Sequence, residues 1–399
     1  MTEYASPESD EPRDELDDLV ASLLDGNHRA LARTISKIEN RSPGYRYLVS
    51  QLHDHLGGAD VIGITGSPGA GKSTLVDKLA ETYRERGETV GIVAIDPSSP
   101  YSGGAVLGDR IRMASTVGDM DVFVRSMSAR GTLGGLSTAT ADAVKAMDAF
   151  GKDKIIIETV GAGQNEIDIV RTADTVAVLV PPGSGDAVQT LKAGILEIAD
   201  VFVVNKADRD GADRTVQELL EMVELDAGGH GPIDIGHHGP EEAVTDPERD
   251  SADNGPTAGG ETASRDEDGS STGADSHGES SDSVGPWRPP ILETVATRGE
   301  GVESVLDAFS DHESYLERSG AIADRTRRRH AEELRTLLRE DLHELLEREL
   351  DRYGGINALA EAVREGETDP YTVADAVVVP VARCLDALED ADRADVLRQ

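Results

Sequence analysis

The sequence predicts an open, mainly parallel α/β sheet covered by helices on both faces. Three observations lead there. Short apolar runs rich in β-branched residues recur at 61–65, 90–95, 155–157, 176–180, 201–204 and 291–295. They lack polar alternation, as expected of parallel strands buried on both sides. Segments of helical length separate them, and that alternation is the pattern of a sheet with helices on each face.

In chain order, residues 1–14 read as a disordered acidic tail. Residues 15–57 read as a helical extension, with Leu19, Leu23 and Leu24, then Leu31, Ile35 and Ile38, at spacings of three and four. The α/β domain is expected over 58–310. Within it, 228–285 reads as a disordered acidic insert: from Gly239 to Gly285 it holds no Leu, Ile, Met or aromatic residue. Such a segment cannot bury enough apolar area to offset its ordering entropy. Residues 311–399 read as a helical arm, where Leu334, Leu338, Leu342, Leu346 and Leu350 form an i, i+4 row beside Leu337 and Leu345. That row either packs on the chain's own core or meets a second subunit.

Charge narrows the function classes. With 77 acidic against 39 basic residues the formal charge is −38. A chain that negative is a poor general binder of nucleic acid or of anionic membranes. The acid is spread over helices and loops, as in the solvated coat of salt-adapted cytosolic proteins. The single cysteine, Cys384, excludes an internal disulfide and any cysteine metal cluster. Nothing reads as a signal peptide or as a membrane span of about 18 apolar residues. The expected location is the cytoplasm.

The strongest chemical signal follows the run 61–65. Gly66, Ser67, Pro68, Gly69, Ala70, Gly71, Lys72, Ser73 and Thr74 fit G-x-x-x-x-G-K-[ST] between a strand and a helix. Glycines let backbone N–H groups approach phosphate oxygens, Lys72 would reach the β- and γ-phosphates, and the Ser73 hydroxyl would bind Mg²⁺. Asn205, Lys206 and Asp208 of N-K-A-D follow the run 201–204. The Asp208 carboxylate can accept from guanine N1–H and the exocyclic amine, a donor pair adenine lacks. This favours GTP over ATP. Val295, Ala296 or Thr297 would offer a backbone N–H to guanine O6. Asp96, Asp109 and Glu158 are candidate metal ligands, because loops at the carboxyl ends of parallel strands converge on one crevice. Gln164 is a candidate for positioning the attacking water.

The P-loop, A-I-D-P-S-S-P (94–100), L-G-D-R-I-R-M (107–113), E-T-V-G-A-G-Q (158–164), P-P-G-S-G-D (181–186) and N-K-A-D together resemble the MeaB/ArgK family of GTPases. The resemblance covers roughly residues 15–350, insert excepted. It implies a P-loop NTPase G domain of the SIMIBI class with an N-terminal helical extension and a C-terminal dimerisation arm, hence a homodimer. It implies a chaperone for methylmalonyl-CoA mutase that gates adenosylcobalamin loading. It makes Asp96 and Asp109 switch carboxylates, Glu158 the acid near Mg²⁺, and Asp186 and Lys192 parts of a third switch. The family's older label offers an alternative, an ATP-dependent kinase of lysine/arginine/ornithine transport. A nickel metallochaperone GTPase, using His230, His237 and His238, is a second, and a nucleotide-binding module without turnover a third.

Overall fold

The computed structural model describes residues 13–96, 118–128, 135–159, 172–183, 198–227 and 285–386. Among these residues seven strands form one sheet: β1 (Asp60–Gly66), β2 (Val90–Asp96), β3 (Val122–Ser128), β4 (Lys154–Glu158), β5 (Thr175–Val180), β6 (Val201–Asn205) and β7 (Ile291–Thr294). Their order is β3-β2-β4-β1-β5-β6-β7, and every pairing is parallel. Six strands coincide with the apolar runs. The seventh, β3, was not expected from sequence. It lies at the sheet edge with one neighbour, its side chains are mostly half-buried, and Arg125 and Ser126 break its apolar run.

Alternate residues of each inner strand feed two separate cores. Val61, Ile155, Ile157, Val176, Val178, Phe202 and Val204 face one side. Ile62, Ile64, Ile156, Ala177, Leu179, Val201 and Val203 face the other. The first core is closed by α5 (Gly135–Ala149) and α6 (Ala212–Ala227), with α1 (Arg13–Leu24), α2 (His28–Glu39) and α3 (Tyr45–Leu52) clustered together on the α5 side. The second is closed by α4 (Lys72–Glu85) and α7 (Val302–Ser319).

Helix α1 starts at Arg13, inside the expected tail. Asp14 and Glu15 occupy its first turn, where the positive end of the helix favours acids. Helix α2 is capped by Asn27, whose Oδ1 accepts from Arg29 N at 2.9 Å and Ala30 N at 3.3 Å.

The expected arm boundary at 310/311 falls within α7. That helix belongs to the sheet, since Val302, Val305, Leu306, Phe309 and Leu316 are all buried. The chain leaves the domain at Gly320, whose φ of +71° ends α7. Beyond it lie α8 (Ala321–Arg352), α9 (Gly355–Glu365) and α10 (Pro370–Asp386). The base of α8 is tied to the amino ends of β5 and β6. Arg325 Nη2 lies 2.7 Å from Asp200 Oδ1, and Arg329 Nη1 lies 3.0 Å from Asp174 Oδ1. Burial opposes ionisation of Asp200, but bonds from His312 and Arg325 hold its carboxyl below the usual range. Further along, Glu333 pairs with Lys145 of α5, Glu340 with Arg41 and Asp341 with Arg46. Part of the leucine row stays in solvent, while Leu337, Leu346 and Leu350 are half-buried. Leu334 and Leu338 are each 60% exposed, and Leu342 and Leu345 are exposed too. Among the described residues no helix is long and apolar enough to cross a membrane.

Candidate nucleotide-binding site

Because all strands run one way, the ends of β1, β2, β4, β6 and β7 deliver Gly66, Asp96, Glu158, Asn205 and Thr294 to one edge of the sheet. The loop after β1 then turns sharply into α4. Gly66 has φ +135°, and a Cβ there would sit 2.1 Å from Leu179 O on β5. Only glycine fits. Ala70 is buried and its N–H donates to Ser67 O at 3.1 Å, while Pro68 and Gly69 form the exposed tip.

Lys72 is 6% exposed and opens α4. Its Nζ donates to Gly66 O at 2.8 Å and Ser67 O at 3.1 Å, so the ammonium is folded over its own loop. A compact positive charge, loop N–H groups and the positive end of a 14-residue helix converge there. Those three features together suit a polyphosphate. Thr74 is half-buried behind Ser73.

On the metal side, Ser73 Oγ donates to Glu158 Oε1 at 2.5 Å. Glu158 ends β4 and is 9% exposed, and Thr159 Oγ1 donates to Thr65 Oγ1 at 2.9 Å, fastening the ends of β4 and β1 together. Among the described residues a hydroxyl and a carboxylate converge at one point. That hard-oxygen pair fits Mg²⁺, which takes one or two carboxylates and completes its shell with phosphate oxygens and water. Ser73 and Glu158 would hold the ion, which would neutralise charge building on the phosphates. Asp96 ends β2, the strand next to β4. Asp109, Gln164, Asp186 and Lys192 lie outside the described residues, as do His230, His237 and His238. Among the described residues no group of three or more His, Cys, Asp or Glu could hold a metal by itself.

On the base side, Asn205 is the joint. Its Nδ2 donates to Ala70 O at 2.8 Å, and its Oδ1 accepts from Thr294 Oγ1 and Ala296 N, each at 3.1 Å. One buried amide thus fixes the phosphate loop against the loop after β7. Lys206 has φ +65°, uncommon for a residue with a side chain, and its Nζ donates to Gly69 O at 2.6 Å. Its alkyl stem therefore runs across the gap between the two loops, where a planar base would lie. Asp208 stands beyond it, with its side chain 39% exposed.

Of the expected trio 295–297, Val295 N donates to Glu300 O at 3.0 Å and Ala296 N to Asn205. Thr297 remains the candidate for guanine O6. Sequence reasoning missed Arg298, whose Nη2 donates to Asp208 Oδ2 at 2.8 Å. A cation directly after 294–297 was visible, but its partner, 90 residues away, was not.

A family model described as Methylmalonyl Co-A mutase-associated GTPase MeaB matches residues 31–351. The chain belongs to the MeaB family. Among MeaB relatives, a putative GTPase of Pyrococcus horikoshii is 40% identical over 363 residues, covering 91% of this chain and 97% of the relative. A probable GTPase of Mycobacterium tuberculosis is 33% identical, covering 79% and 80%. The fold matches a solved LAO/AO transport system kinase with a TM-score of 0.58 at 21% identity, covering 93% of this chain and 99% of that one. This MeaB protein is a P-loop GTPase.

Proposed function

We propose that this GTPase is a cytoplasmic chaperone of an adenosylcobalamin-dependent methylmalonyl-CoA mutase, coupling GTP binding and Mg²⁺-dependent hydrolysis to cofactor loading and protection. One observation carries the step from GTPase to mutase partner. The family match runs from residue 31 to 351, so it takes in α2, α3 and α8 as well as the nucleotide domain. Elements outside the nucleotide site are where a partner would be recognised.

In the proposed cycle Lys72 neutralises the β- and γ-phosphates and Ser73 with Glu158 holds Mg²⁺. Asp96 and Asp109 follow the γ-phosphate, Gln164 positions water, and Asp186 with Lys192 answers to the mutase. Adenine offers no donor pair to Asp208, which speaks against the transport-kinase alternative. The test is steady-state GTP turnover in high salt with and without methylmalonyl-CoA mutase from the same cell. A several-fold rise on adding mutase is expected. Turnover indifferent to the mutase, loaded or empty, would refute the chaperone role.

The same reading makes the protein a homodimer through α8. Four exposed leucines on one helix form an apolar face of a size that single soluble chains seldom leave to water, and two-fold pairing is the commonest way to cover one. The double variant Leu338→Asp, Leu345→Asp is expected to halve the mass seen by light scattering while nucleotide binding persists. Wild-type protein that is already monomeric at micromolar concentration would sink this assembly.

A further inference from the structure

We infer that Arg298 is a positioning residue for guanine selection, holding the Asp208 carboxylate turned toward the base; this rests on the GTP reading of the site. Arg298 reaches Asp208 Oδ2 through Nη2 at 2.8 Å and Glu300 Oε1 through Nη1 at 3.3 Å. Both prongs of its planar fork are thereby engaged, which sets the plane of the guanidinium and with it the carboxylate it grips. Among the described residues no other side chain bonds Asp208.

The turn that presents Arg298 is itself fixed. Val295 and Glu300 form an antiparallel bridge, Arg298 N donates to Val295 O at 2.8 Å, and Gly299 N donates to Ala296 O at 3.2 Å. Gly299 and Gly301 have φ of +74° and +77°, and a Cβ on Gly301 would meet Glu293 O at 2.2 Å. The turn is also anchored to Asn205 through Ala296 N, and Asn205 anchors the phosphate loop. Arg298 therefore approaches Asp208 from a frame that is in register with the phosphates.

The pair would add little to stability, because Arg298 and Asp208 have side chains 54% and 39% exposed. Its use is orientation. A carboxylate offers about four acceptor sites on two oxygens, and Arg298 takes one of those on Oδ2. The others remain for N1–H and the exocyclic amine of guanine. The alternatives at this position do not serve. Val295 has no polar side-chain atom, and the turn directs the Ala296 N–H at Asn205 rather than at Asp208.

The experiment compares equilibrium affinities for GDP, inosine diphosphate and ADP in wild type, Arg298→Ala, Arg298→Lys and the control Arg214→Ala, an exposed arginine paired with Glu218 on α6. Inosine lacks the 2-amino group, so the GDP-to-IDP ratio reads the amine's bond to Asp208 and is blind to general damage. Arg298→Ala is expected to lower that ratio about tenfold, as loss of one well-made polar contact does. Arg298→Lys should recover part of it and Arg214→Ala should leave it at the wild-type value. An unchanged ratio in both Arg298 variants overturns the inference. Tighter GDP binding by Arg298→Ala overturns it too, since Arg298 would then compete with the base. A wild type that fails to prefer GDP to ADP would instead refute the GTP reading itself.

Discussion

Lys72→Ala is expected to weaken GTP binding roughly a hundredfold or more, since the variant loses at least two charge-assisted bonds to phosphate at about 1.5–3 kcal/mol each. The side chain is already placed for that work. It is 6% exposed, opens α4, and lies with Nζ over Gly66 O and Ser67 O. The fold should survive. Neither apolar core includes Lys72, and the two loop carbonyls it leaves behind lie on a loop whose tip is in water. A destabilisation of about 1–3 kcal/mol is expected from them. Nucleotide titration beside thermal unfolding separates the two effects. Full affinity in a folded variant would remove the phosphate site from this loop.

Gly71→Ala is expected to damage stability and binding together, although it adds one methyl group. Gly71 has φ +98°, a conformation costly to a residue with a side chain. Its added Cβ would stand 2.4 Å from Asn205 Nδ2. That amide cannot step aside cheaply, because it also holds Ala70 O, Thr294 and Ala296 N. Strain at φ and forced repacking together amount to about 3 kcal/mol, or a melting point lower by roughly 6–12 °C. GDP affinity should fall in parallel, since the base side and the phosphate side lose their common tie. Gly69→Ala is the control. Its φ is +76°, but nothing lies within 4 Å of its would-be Cβ. Equal losses in both variants would show that backbone strain alone, and not the Asn205 joint, explains the effect.

Much of this molecule was legible in one dimension because its determinants are local. A buried parallel strand needs apolar residues on both faces, so β1, β2, β4, β5, β6 and β7 announce themselves as runs. The phosphate loop is equally local, since glycines that must adopt positive φ or admit a neighbouring carbonyl sit within six residues of Lys72. Family membership followed from several such motifs kept in order. What sequence reading missed depends on partners distant along the chain. Strand β3 is a strand because β2 pairs with it, which its own mixed composition does not reveal. Helix α7 was split between domain and arm because its apolar residues are helical by pattern, and only the sheet beneath decides that they are buried. The leucine row of α8 was equally ambiguous. Ion pairs from Arg41, Arg46 and Lys145 settle which side of the helix meets the domain, and leave Leu334, Leu338, Leu342 and Leu345 exposed. The joint at Asn205 and the grip of Arg298 on Asp208 belong to this second kind. Their partners are 135 and 90 residues apart, and a hydrogen bond has no trace in sequence until the parallel sheet carries both ends to one edge.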